Sequence, residues 1–395
     1  MKKKEIIFFL TEAINKRNLE RLGYFRLKKN FDIKFIDLTI LLNKKKLFIK
    51  KNNFKKTINK KIFLKVKSWD SLKKEIKKKV FFIDFTTQNS LKFILLQKYL
   101  VKKGSKKIHL TSSILPNNIF FSIKEKFYSF IKNLNLYGLI KQILIFVRHR
   151  LLRKLSVDPH YALICGNTQR NFFSKETKII ESHSLDYDRY LKINSKKKMI
   201  NKKRYNVFID QMMFAHPDGR DNKLIFDKKK EIIYLKELKN FFIYINKKYK
   251  KKIIFNFHPR STAKYKMNIK KIINLKFCKF QEWEKTDISI KNSDLVMGHT
   301  SSAFQFAILW RKPIIFLTHS TFSDYNKKYI EGMSSEIKSK PLNFDSNNLS
   351  LPSIKELNRV NRKIYDKYIY NYIAIDKSKK DTWEKLIKLI NNVSL

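Results

Sequence analysis

The run Ser293-Asp294-Leu295-Val296-Met297-Gly298, continued by His299-Thr300-Ser301-Ser302, decides how this chain is read. Residues 294–298 are short, mostly apolar and end in glycine, the pattern of a strand buried on both faces. A hydroxyl-rich loop follows, then residues 303–310 at helical spacing, then residues 313–317 as another buried strand. A loop between a strand's carboxyl end and a helix start offers N–H groups and a helix dipole to an anion. Upstream, residues 253–257 read as a strand that empties into His258-Pro259-Arg260-Ser261. One α/β unit therefore presents a cationic turn and a hydroxyl turn at strand ends, the edge where such sheets bind ligands. With only 7 glycines in 395 residues, Gly298 is read as needed for a tight turn or a close backbone approach.

Strand and helix patterns alternate outward from this stretch, which predicts an α/β fold of parallel sheets. Earlier strand patterns fall at 5–10, 31–38, 80–85, 107–110, 161–166 and 178–181, with helical patterns at 13–24 and 90–101. A second series has strands at 205–210, 253–257, 275–280, 294–297 and 313–317, and a long helix at 229–249. Residues 42–78 are lysine-rich and weakly patterned, so an irregular insertion is expected there. The expected division is an N-terminal Rossmann-like domain over 1–191, a linker over 192–204, a C-terminal Rossmann-like domain over 205–365 and a helical tail over 366–395. Trp383, Leu386, Ile387, Leu389 and Ile390 form the tail's apolar face. Residues 118–155 read as an inserted basic amphipathic helical segment, either packed on the core or lying on an anionic bilayer.

The net charge of +55 first points to nucleic acid. The lysines are scattered, however, and lysine, isoleucine, asparagine and phenylalanine are all inflated while glycine and proline stand at 7 each. That joint bias is what an AT-rich gene writes into any protein, so no nucleic-acid partner is expected. A phosphorylated substrate or an anionic membrane face suits the charge better. Cys165 and Cys278 are far apart and lie in or beside apolar runs, giving neither a disulfide framework nor a metal site. The apolar run at 5–10 is too short for a secretory signal, and no run reaches the roughly 18–20 residues of a spanning helix. A cytoplasmic protein is expected, with peripheral contact to the inner membrane face.

Two successive Rossmann-like units with an anion site on the second resemble a GT-B glycosyltransferase, whose domains face across a cleft. His258-Pro259 after one strand and Ser301-Ser302 after a later one resemble the HP and paired-serine motifs of bacterial sialyltransferases and related transferases of CMP-activated sugars. The stretch Lys16-Arg17-Asn18-Leu19-Glu20-Arg21-Leu22-Gly23-Tyr24 after the first strand is similar to bacterial surface-polysaccharide transferases. The resemblance implies a metal-independent enzyme of capsule or lipooligosaccharide assembly. It implies no cofactor beyond a nucleotide-sugar donor, CMP-linked acidic sugars first, and a glycan or lipid-linked acceptor. In those families the histidine meets the donor phosphate and the serines bind phosphate or nucleotide. The acidic tripeptide ending in glycine that supplies their general base is absent here.

Glycosyl transfer needs a base for the acceptor hydroxyl and donors for the departing phosphate. His258, Pro259, Arg260, Gly298, His299, Thr300, Ser301, Ser302 and Gln211 are the expected donor-binding residues. Glu12, Asp84 and Asp186 are the candidates for the base, with Glu12 and Asp84 preferred and His258 as the catalytic imidazole. Asp186 and Asp188 form a D-x-D, but its place late in the first unit gives no reason to infer a metal. Rival readings remain a UDP- or GDP-sugar or polyol-phosphate transferase, a nucleotide-sugar epimerase, and a basic membrane- or nucleic-acid-binding protein.

Overall fold

The computed structural model describes residues 3–11, 16–42, 62–76, 78–86, 90–116, 144, 147–148, 150–152, 154–195, 204–216, 227–346, 349–357, 359–376, 378 and 380–395. The chain forms two compact units, one of residues 1–112, 121–185 and 375–395, the other of residues 113–120 and 186–374.

The first unit holds β1 (Glu5–Leu10), β2 (Asp32–Asp37), β3 (Phe63–Lys65), β4 (Phe81–Asp84), β5 (Lys106–Leu110), β6 (Tyr161–Ile164) and β7 (Lys178–Glu181). Their order is β3-β2-β1-β4-β5-β6-β7, and every pair is parallel. Alternate side chains leave opposite faces of the sheet. Ile6, Phe8, Phe35 and Phe81 join one core, while Ile7, Phe9, Ile36 and Phe82 join the other. Burial on both faces is why these strands read as unbroken apolar runs.

Three expectations are corrected in this unit. The helix expected over 13–24 is two short ones in the described residues, Lys16–Arg21 and Tyr24–Leu27, because Gly23 at φ 66° turns the chain between them. A Cβ on Gly23 would also stand 2.2 Å from the Trp383 indole, so the position requires glycine twice over. The stretch over 42–78 is not wholly irregular, since it supplies β3 and the helix Trp69–Glu75, opened by a Ser68–Ser71 capping box. The tail is shared between the units. Residues 366–373 stay with the second, and the helix Thr382–Asn391 sets Trp383, Leu386 and Ile390 into the core that holds Phe8, Leu27 and Phe35.

Asp381 caps that helix by accepting from the Trp383 and Glu384 N–H groups. The His183 ring lies 2.9 Å through Nε2 from the Lys380 carbonyl, and burial pushes its pKa down, so it is a neutral packing group. Of the amphipathic segment over 118–155, residues 118–143, 145–146, 149 and 153 lie outside the described residues. Leu144, Val147, Leu151 and Leu155 are exposed. No helix among the described residues is long and apolar enough to cross a membrane.

The second unit holds β8 (Tyr205–Ile209), β9 (Ile253–Asn256), β10 (Cys278–Gln281), β11 (Ser293–Gly298), β12 (Ile314–Thr318) and β13 (Leu342–Asn343). The order is β10-β9-β8-β11-β12-β13, again all parallel. The sequence runs outward from β8 to β9 and β10 on one side, then returns to β11 on the other. That reversal is the switch point at which doubly wound sheets open a crevice.

Candidate functional site

Register fixes the site. Asn256, Ile209 and Gly298 stand side by side across β9, β8 and β11, and the loops beyond them leave the same carboxyl edge. The His258 turn and the Thr300–Ser302 loop therefore leave strands on either side of β8, two strand spacings or about 10 Å apart. These sequence-predicted residues of the second unit are brought to one edge.

The His258 turn is built by Pro259. The Ser261 N–H donates to the His258 carbonyl at 2.9 Å, closing a turn with proline at its second position. The Arg260 N–H donates to His258 Nδ1 at 3.2 Å, which leaves the ring proton on Nε2. The ring meets His216 edge-on, with centroids 4.9 Å apart. His258 and Arg260 are both half-buried.

The hydroxyl loop differs from expectation. The helix after it is only Phe304–Leu309, and its opening N–H groups are consumed locally. Ala303 donates to Ser301 Oγ, Phe304 to the Ser301 carbonyl and Gln305 to the Ser302 carbonyl, at 3.2, 3.1 and 3.0 Å. The His299 and Thr300 N–H groups both donate to Gln211 Oε1, and Gln211 Nε2 donates to Thr300 Oγ1 at 2.8 Å. Gln211 is a strut for the loop, and the polar surface left for an anion is chiefly hydroxyl. Gln211→Ala removes three hydrogen bonds at once. Hydrogen exchange at the Thr300 amide is expected to quicken roughly tenfold or more, with folding of the unit retained.

Two further expectations are settled by packing. Gly298 is needed because a Cβ there would lie 3.0 Å from the Ile209 carbonyl oxygen and 3.2 Å from the Phe304 ring. The His299 ring, on the loop of donor-binding candidates, packs into the core. It is fully buried, Nδ1 lies 2.7 Å from the Leu317 carbonyl, and Nε2 lies 2.8 Å from the Tyr234 hydroxyl. Burial pushes its pKa down to about 4, so the imidazole is neutral, with Nδ1–H donating and Nε2 accepting.

Asp210, placed beside Gln211 at this strand end by the sequence but given no role there, is the buried acid of the edge. It is 4% exposed at the end of β8. Its Oδ1 accepts from the Met212 N–H at 2.9 Å and from the Tyr265 hydroxyl at 3.0 Å, while Oδ2 is buried without a hydrogen bond. The His258 and Gln211 N–H groups also lie against the carboxylate. Burial pushes its pKa up to about 6 against the pull of these donors. The bond to Met212 holds that buried residue at φ 53°, a left-handed conformation that a non-glycine residue adopts only under constraint. The signal was available: a carboxylate directly after the apolar run 207–209, with glutamine next.

In the first unit, Asp84 ends β4, half-buried, with Oδ1 accepting from the Thr86 N–H and Oδ2 from Gln97 Nε2 at 2.8 and 3.0 Å. Oδ1 braces the turn and Oδ2 ties it to the helix Leu91–Lys102. Glu12 lies outside the described residues. Asp186 and Asp188 open the helix Leu185–Asn194, where acidic side chains favour the helix start.

No family model matches the sequence. No curated protein matches it either. Solved structures do. A Listeria monocytogenes structure assigned as a UDP-N-acetylglucosamine 2-epimerase is 10% identical, with a TM-score of 0.51 over 99% of this chain and 96% of that one. The UDP-GlcNAc 2-epimerase of Methanocaldococcus jannaschii, in complex with UDP-GlcNAc and UDP, is 16% identical, with a TM-score of 0.50 over 98% and 100%. The glycosyltransferase of kitacinnamycin is 7% identical, with a TM-score of 0.47 over 99% of each chain. Likeness at these identities shows the fold. The chain is an α/β protein of two parallel-sheet Rossmann-like units, the GT-B arrangement of elements.

Proposed function

We propose that the chain is a nucleotide-sugar enzyme that transfers a glycosyl group to a surface-glycan or lipid-linked acceptor. One observation carries this reading: the His258 turn and the Thr300–Ser302 loop leave one sheet edge on either side of the switch-point strand. A cationic turn and a separate hydroxyl loop offer more partners than the single phosphate of a CMP-sugar can use, and a nucleoside diphosphate engages both. UDP-sugars therefore come first and CMP-linked acidic sugars second. The UDP-GlcNAc epimerases of like fold support the same choice of nucleotide.

In this reading His258 donates its Nε2–H to a phosphate oxygen, and Arg260 adds positive charge. The hydroxyls of Thr300, Ser301 and Ser302 bind the departing phosphate as charge grows on it. The acceptor proton goes to a carboxylate. Glu12 is the first choice, because both Asp84 oxygens are already engaged, one by its turn and one by Gln97. Epimerisation is the second reading, and the fold neighbours favour it. It differs in consuming donor with no acceptor present.

Thermal unfolding with UDP, GDP, CMP and UDP-GlcNAc tests the donor. At about 100 times the dissociation constant a ligand adds about 2.7 kcal/mol, a rise of several degrees. UDP and UDP-GlcNAc are expected to give that rise and CMP a smaller one. A midpoint unmoved by all four would sink the nucleotide reading.

A further inference from the structure

The outward face of the helix Leu91–Lys102 is apolar where a water-facing helix should be polar. Phe93, Ile94, Leu96 and Leu100 point into the core, as an amphipathic helix requires. Leu91, Leu95 and Tyr99 then fall one turn apart on the opposite side, at 50%, 55% and 39% exposure. Single exposed leucines are ordinary; three large apolar residues in one file are not. Lys92, Lys98, Lys102 and Lys103 stand exposed along the same helix and just past its end.

Beside this file is a hollow of about 430 Å³, walled by Lys73, Lys74, Lys78, Lys79 and Lys103, with Tyr99 among its lining residues. The Lys73 and Lys103 ammonium groups each lie 5.9 Å from the Tyr99 ring. Asp70 and Glu75 are on the neighbouring helix, but neither lines the hollow. Five cations gathered without an acid repel one another unless an anion joins them. An apolar file that dips below a headgroup layer, edged by lysines that reach its phosphates, is the chemistry of an interfacial membrane contact.

We propose that this face of the first unit docks on an anionic lipid bilayer, with Leu91, Leu95 and Tyr99 entering the interface and the lysine hollow seating a lipid phosphate. The site uses residues other than those of the amphipathic segment over 118–155. It rests on the glycosyl-transfer reading only in that such a contact would bring the chain to a lipid-linked acceptor.

The test is co-sedimentation of the full chain with vesicles of phosphatidylglycerol and phosphatidylcholine, and with vesicles of phosphatidylcholine alone. Charge alone, at +55, gives binding that high salt abolishes. The apolar file adds a fraction that survives 0.5 M salt on the anionic vesicles. The variant Leu91→Ser/Leu95→Ser/Tyr99→Ser is expected to lose that fraction at least tenfold while keeping the wild-type melting curve. The variant Lys73→Glu/Lys103→Glu, two charge reversals in a chain of net charge +55, is expected to keep most low-salt binding but to lower the salt-resistant fraction on anionic vesicles severalfold. Equal salt-resistant binding by wild type and the serine variant would overturn the proposal. So would release from vesicles by millimolar inorganic phosphate, which would mark a site for the free ion. A wild-type dimer that the serine variant breaks, with vesicle binding unchanged, would also overturn it and assign the face to a second copy. No outcome depends on nucleotide turnover, so failure here leaves the donor reading standing, and the reverse holds.

Discussion

His258→Ala is expected to lower donor turnover by roughly 10²–10³-fold, because one well-placed donor to a developing oxyanion contributes on that scale. Folding should be untouched. The residue is half-buried in a turn; alanine gives up the bond from the Arg260 N–H to the ring but keeps the Ser261-to-carbonyl bond that closes the turn. The measurement pairs initial rates, with the favoured nucleotide sugar, with a melting curve. The loss should appear in kcat as well as in KM, since phosphate charge rises as the bond breaks. His258→Gln is the sharper control, because its carboxamide restores an N–H donor and should recover part of the rate. Wild-type turnover by a folded alanine variant would remove His258 from the chemistry and leave the hydroxyl loop without its partner.

Asp210→Asn is expected to make the protein more stable at pH 8 and to flatten its pH dependence. Burial lifts the carboxyl from an ordinary 3.8 to about 6. A group whose pKa is raised by folding contributes stability that is full below its unfolded pKa and is lost as pH rises through the folded value. Wild type therefore loses stability between about pH 4 and pH 7, and the gap from 3.8 to about 6 corresponds to about 3 kcal/mol at most. Asparagine keeps an acceptor for the Met212 N–H and the Tyr265 hydroxyl but gives up contact with the His258 N–H. A net gain of about 1–2 kcal/mol at pH 8 is the expected balance, vanishing toward pH 4. Denaturant unfolding at pH 4.5, 6 and 8 reads it. Equal slopes against pH for the two proteins would show that the carboxyl is not shifted.

The strands were legible because burial on both faces writes apolar runs that end at polar turns, as in residues 293–298 and 253–256. The α/β class and two-unit plan followed from their alternation. What failed was tertiary. Residues 13–24 have helical spacing, yet Gly23 turns the chain so that an indole 360 residues later in sequence can pack on it. Lysine density hid the helix Trp69–Glu75, whose core contact is essentially Leu72. His299 stands in the loop that attracted a ligand reading, but its partners Tyr234 and Leu317 come from other elements, and nothing local announces them. Gln211 was read as a donor-binding residue, and its hydrogen bonds to the loop could only be seen once β8 and β11 were neighbours.

The return of residues 375–395 to the first unit has a consequence for biosynthesis. Trp383, Leu386 and Ile390 complete a core whose other buried members lie between Ile6 and Leu185. During synthesis the first unit must wait, with that apolar face uncovered, until residues 375–395 have emerged. The second unit needs none of those final residues and can close earlier, so a premature stop near codon 375 should yield one sound half tethered to one that cannot finish.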